Sequence, residues 1–183
     1  ESLTSQLAEL GANMRDVRQV LLTHMHRDHE GLVDQIRRVS GARVLSPAWD
    51  GSQANVAEGS EHNRLAFCGV PQQLYERTRS GRHSFWERSS FPKPDEWLVG
   101  GETISTGNTE LEVISTPGHA IGHVCYYDRK NRCLFTGDHV TPVIIPKVCS
   151  LLWDSSTGRD PLGDYLSSNE RLTPLEVEIV FPA

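Results

Sequence analysis

The strongest constraint on this chain is an abrupt change of character at residue 24. Val17 to Thr23 (VRQVLLT) is an apolar, β-branched run of the kind that forms a buried strand. It leads directly into His24-Met25-His26-Arg27-Asp28-His29. Imidazoles and a carboxylate so close together are costly to pack unpaired, and a divalent metal is their natural partner. The run therefore reads as a strand that ends at Thr23 and presents the cluster at a sheet edge, where α/β scaffolds mount function.

The rest of the chain supplies the scaffold. Ser2 to Leu10 reads as a short helix stopped by Gly11. Leu32, Val33, Ile36 and Val39 recur at helical spacing and Gly41 closes that helix. Arg43 to Ser46 is a short strand ended by Pro47, and Glu110 to Ser115 alternates as a strand should. Val124 to Tyr127 and Cys133 to Thr136 flank Asp128-Arg129-Lys130-Asn131, which reads as a hairpin turn. Asp160 is the expected N-cap and Pro161 the first residue of a helix that continues through Leu162, Leu166, Asn169 and Leu172, with Pro174 ending it. Glu176 to Phe181 alternates again, an expectation that Val177, Ile179 and Phe181 are buried. Strands alternate with helices and a hairpin, so the class is α/β with a mixed sheet. Residues 57–96 break the rhythm: polar, Arg-rich and carrying Phe85, Trp86 and Phe91, they read as an inserted lid within a single domain over 1–183.

Two further strand ends carry polar clusters, Thr116 to His123 (TPGHAIGH) and Thr136-Gly137-Asp138-His139. His24 and His26, two apart on an extended segment, can chelate one ion from the same side. Asp28 and His29 point elsewhere and suit a second ion. His119 follows the rigid Pro117-Gly118 turn, and Asp138, with two carboxylate oxygens, can bridge two cations. Two ions about 3.5–4 Å apart lower the pKa of a bridging water and clamp a developing oxyanion, which suits hydrolysis of an ester, thioester, amide or phosphodiester. His62 and His83 read as ordinary surface or core histidines, and His123 as structural. His139 reads equally as a support for the ligands or as a packed residue.

Composition bounds the partners. A formal net charge of -6 argues against a dedicated nucleic-acid surface, although metals could supply the charge a nuclease needs. No stretch approaches the roughly 18 apolar residues of a membrane span. Cys68, Cys125, Cys133 and Cys149 form no CxxC pair and fit a reducing, cytoplasmic setting. A small-molecule substrate is the expected partner, and the sequence leaves the oligomeric state open.

With these motifs in hand, the sequence resembles the metallo-β-lactamase superfamily: THMHRDH at 23–29, TPGHAIGH at 116–123 and TGDH at 136–139 match in order and spacing. DPLGDYLSSNERL followed by a strand looks like the penultimate helix and last strand of its hydrolases. The resemblance implies a four-layer αββα sandwich with metals at one edge between two sheets. It implies His24, His26 and His119 on a first metal, Asp28 and His29 on a second, and Asp138 as the bridge. A bridging aspartate is similar to the glyoxalase II-like branch rather than to the true β-lactamases. The implied activity is that of a binuclear zinc hydrolase that uses a metal-bound hydroxide on an ester, thioester, lactone or phosphodiester, with Asp28 orienting the nucleophile. Iron or manganese could replace zinc. The alternatives are a mononuclear iron dioxygenase of sulfur compounds in the same superfamily, or an inactive fragment. The family also has strands before its first motif and a metal-binding histidine just after its last strand. The expectation is therefore a domain truncated at both ends, from a longer protein whose signal peptide, if it has one, lies outside this sequence.

Overall fold

Alternation along the strands decides the layering. The computed structural model describes residues 3–48, 71–73, 93–143, 146, 148 and 160–183. Helix α1 (Leu3–Glu9) leads into β1 (Gln19–Leu21), the short helix α2 (Arg27–Glu30), α3 (Val33–Ser40) and β2 (Arg43–Pro47). Then come β3 (Glu96–Leu98), β4 (Thr103–Ser105), β5 (Glu110–Ser115), β6 (Val124–Asp128), β7 (Cys133–Gly137), α4 (Pro161–Leu172) and β8 (Ile179–Pro182). Most of the segment 57–96, including Phe85, Trp86 and Phe91, lies outside the described residues, as do His62, His83, Cys68 and Cys149.

The strands form one sheet in the order β1-β2-β3 and another in the order β4-β5-β6-β7-β8. All pairings in the first sheet are parallel. In the second, β4 to β7 form an antiparallel meander and β8 joins β7 in parallel after the crossover through α4. The β6–β7 hairpin turns at Asp128–Asn131, where Asp128 accepts from the Asn131 backbone and side chain. Gly41 ends α3 in the left-handed region at φ 69°, a conformation that glycine adopts without steric cost.

Neighbouring residues of each strand face opposite layers. Val44 packs outward with Leu22 and Val33, against α3, while Leu45 faces inward with Leu98, Ile104, Leu111, Val113, Val124 and Tyr126. Cys125 and Tyr127 face the far side, with Leu134, Leu172 and Leu175. Three apolar clusters thus fill the three gaps of an αββα sandwich, the architecture implied by the resemblance.

One expectation is corrected. Val177 does pack with the outer cluster, but Ile179 and Phe181 are 49% and 44% exposed. Strand β8 has a single neighbour, β7, and among the described residues no element covers its faces. Phe181 instead stacks on Phe135 with ring centroids 4.8 Å apart. Among the described residues, no helix is long and apolar enough to cross a membrane.

Candidate metal centre

The site forms where three strand ends meet. Beyond β1 the chain carries His24 and His26, between β5 and β6 it carries His119, and just beyond β7 it carries Asp138. Backbone hydrogen bonds join these segments: Val124 N donates to Thr23 O at 2.8 Å, and Thr116 N donates to His123 O at 2.9 Å. Gly137, at φ 48°, makes the junction possible. A Cβ there would lie 2.5 Å from Thr23 Oγ1 and 3.0 Å from His123 Nε2, so only glycine lets all three segments close on one another.

Donor atoms converge. His24 Nε2 lies 2.9 Å from His26 Nδ1, which lies 3.0 Å from His119 Nε2. Asp138 Oδ2 is 3.2 Å from His119 Nε2 and 3.9 Å from His24 Nε2. The ligand atoms of His24, His26, His119 and Asp138 all lie within 4.8 Å of one another. The other oxygen, Asp138 Oδ1, is 3.3 Å from His29 Nε2. His29 Nε2 is in turn 3.7 Å from Asp28 Oδ2.

Burial keeps the rings of His24 and His26 neutral. Burial, reinforced by the rings of His123, His26, His29 and His119, holds His24 far below its ordinary pKa. Burial, with His119 next in weight, pushes His26 down to about 4. Neutral rings carry the lone pairs that a cation needs. Thr23 Oγ1 sits 3.1 Å from His24 Nδ1, so a proton kept on Nδ1 leaves Nε2 free to face the cluster. Two nitrogens each bound to a tetrahedral zinc at 2.0–2.1 Å lie roughly 3.3 Å apart, close to the spacings found here. The donor set therefore fits a divalent metal ion.

Of the residues singled out in the sequence, His24, His26, His119 and Asp138 come together as one group. His29 joins them through the second oxygen of Asp138 and does not point away from them, its ring centroid lying 4.1 Å from that of His24. Asp28 sits at the rim, its side chain 79% exposed. His123 is fully buried, with Nδ1 2.8 Å from Thr116 Oγ1, as befits a structural residue. His139 is also fully buried, with Nε2 3.2 Å from Asn169 Oδ1 and its ring centroid 4.6 Å from that of Tyr165.

Sequence reasoning missed the contribution of α4. Tyr165 Oη donates to His139 O at 3.0 Å, and Ser168 Oγ donates to Pro117 O at 2.8 Å. Both residues lie in a helix already legible in the sequence, but nothing in its periodicity marks them as neighbours of the site.

A family model, the metallo-beta-lactamase superfamily, matches residues 1–183. Hydroxyacylglutathione hydrolase of Bdellovibrio bacteriovorus is 26% identical over 147 residues, 80% of this chain and 42% of that protein. Hydroxyacylglutathione hydrolase GloC of Haemophilus influenzae is 26% identical over 190 residues, 100% of this chain and 74% of that protein. Among solved structures, a metallo-beta-lactamase family protein of Thermus thermophilus superposes with a TM-score of 0.74 at 31% identity. That match covers 98% of this chain and 58% of the other. The chain is thus shorter than each of these relatives, spanning less than half of the first.

Proposed function

The chain belongs to the metallo-β-lactamase superfamily, and from that premise we propose that it is a metal-dependent hydrolase whose preferred substrate is a thioester. The observation that carries the reading is the double engagement of Asp138: one carboxylate oxygen faces His119 and His24, the other faces His29. A carboxylate divided between two histidine groups is the arrangement expected of a bridge between two cations.

In this reading His24, His26, His119 and Asp138 hold one divalent ion, and Asp138, His29 and Asp28 take part in holding a second. Zinc is the preferred ion, because imidazole and carboxylate donors suit it; iron and manganese are the alternatives. When bound, such ions supply Lewis acidity and a water acidified toward neutral pH. The chain's own groups do the positioning. Asp28, exposed at the rim beside His29, would accept a hydrogen bond from the attacking water and so aim it. His24 and His119 are buried, and that dry floor strengthens every electrostatic contact made with a developing oxyanion.

The thioester preference draws on the relatives. Hydroxyacylglutathione hydrolases by name release an acyl group from glutathione, whose acyl-bearing atom is sulfur. A thiol of pKa about 8.5 departs readily as thiolate. The free thiols of Cys125 and Cys133 support a reducing, cytoplasmic location.

Assaying the zinc-loaded chain on an acyl-glutathione thioester, its oxygen-ester counterpart, a lactone, a β-lactam and a phosphodiester tests the proposal. Fastest turnover of the thioester is expected. No turnover of any member by fully metal-loaded protein would overturn the hydrolase reading, and iron at one per chain with oxygen consumption would replace it with the dioxygenase.

A further inference from the structure

We infer that α4 is a clamp for the metal centre, in which Tyr165 and Asn169 are positioning residues that fix the distance between His119 and Asp138. The inference rests on the metal-binding reading above.

His119 and Asp138 come from different loops, yet their donor atoms lie 3.2 Å apart. Both loops are gripped by the same two turns of α4. On the first loop, Gly118 at φ 134° lies flat on the helix: a Cβ there would be 2.6 Å from Tyr165 Cβ and 2.7 Å from Tyr165 Cα. Ser168 Oγ, fully buried, donates to Pro117 O at 2.8 Å. The two residues before His119 are therefore pressed against the helix backbone and tied to it.

On the second loop, the helix holds His139, the residue after Asp138. Tyr165 Oη donates to the His139 carbonyl at 3.0 Å. Asn169 Oδ1 lies 3.2 Å from His139 Nε2 and accepts a hydrogen bond from it. His139 Nδ1 has no partner among the described residues, which suits the tautomer with its proton on Nε2. Tyr165 thus touches both loops, with its backbone against Gly118 and its hydroxyl on His139. Arg171 extends the grip to the end of β5, donating to Ser115 O at 2.8 Å.

The consequence is rigidity at a point the metal would otherwise have to organise. Loops free to separate lose affinity, because ion binding must then draw the donors together. The helix sets their spacing in advance, and it does so through His139 and the 117–118 turn.

The test measures Co2+ affinity of the metal-free chain by its visible absorption, well below the melting temperature. Asn169→Leu, which removes the acceptor but keeps the bulk, is compared with wild type, Asn169→Asp and Tyr165→Phe. Asn169→Leu is expected to weaken Co2+ binding by about 10-fold, within the range for partners that orient metal ligands. Asn169→Asp, which retains an acceptor, should restore most of the affinity, and Tyr165→Phe should lose a smaller factor. Far-UV circular dichroism checks that each variant is folded. An Asn169→Leu protein that binds Co2+ within twofold of wild type, even with a lower melting temperature, would reduce α4 to a structural role and overturn the inference. A wild type that binds no Co2+ would overturn the metal centre itself, and the clamp with it.

Discussion

Strands β6 and β8 lie in the same sheet, and both are largely apolar in sequence, yet they end in opposite environments. All five residues of β6 are buried, whereas all four of β8 are exposed. Central β6 sends Val124 and Tyr126 into the gap between the sheets and Cys125 and Tyr127 toward α4. Among the described residues, edge strand β8 has only β7 beside it. Strand formation is a local property of the pattern, but burial is decided by what lies above and below. The difference also locates the site. The segment leading into β6 carries His119 and His123, and β6 begins with the Val124–Thr23 hydrogen bond, so the candidate metal centre hangs from the buried centre of the sheet.

The largest effect expected of this contrast is on stability. Tyr127 is 1% exposed and donates through its hydroxyl to Glu176 O at 2.7 Å. Tyr127→Ala should cost about 3–5 kcal/mol, by loss of a large buried ring. Phe181→Ala, at a half-exposed ring that stacks on Phe135, should cost roughly 0.5–1.5 kcal/mol. Chemical denaturation of the two variants side by side measures the ratio, and equal losses would erase the distinction between the strands. Next in size, Gly137→Ala places a methyl group against Thr23 and His123 and should destabilise by about 1–3 kcal/mol, with metal affinity falling in parallel; unchanged affinity would detach the junction from the site. Smaller still, Tyr126→Phe removes the hydroxyl that donates to Leu22 O at 2.5 Å and should cost on the order of 1 kcal/mol. The mildest contrast is chemical: burial pushes the Cys125 thiol up to about 12, so in native protein near pH 8 it should resist alkylation while partly exposed Cys133 reacts. Mass spectrometry of the labelled peptides distinguishes the two, and equal labelling would mean that β6 opens readily.

Much of this molecule was legible in its sequence, for identifiable reasons. His24, His26, His119 and Asp138 could be picked out because each follows a strand-like run or a Pro-Gly or Gly turn, and a metal site must draw its donors from such ends. The helix start at Asp160-Pro161 was legible because capping is local: Asp160 accepts from Gly163 N at 3.0 Å. What was hidden depends on long-range placement. Ile179 and Phe181 alternate as buried residues would, but no pattern within a strand reports whether a neighbour covers it. The reach of His29 to Asp138 was hidden because the turn of α2 redirects it. Tyr165 and Asn169 looked like ordinary helix residues, since their partner His139 is some thirty positions away in the chain.

The central claim is that His24, His26, His119 and Asp138 together hold one divalent ion. Titration of the metal-free chain with Zn2+ against a chromogenic chelator, wild type beside His26→Ala, tests it most directly. A tight site is expected in the wild type, weakened on the order of 100-fold or more by His26→Ala, which removes a direct donor, while the circular dichroism stays unchanged. A folded His26→Ala protein that binds Zn2+ as tightly as the wild type would contradict the claim.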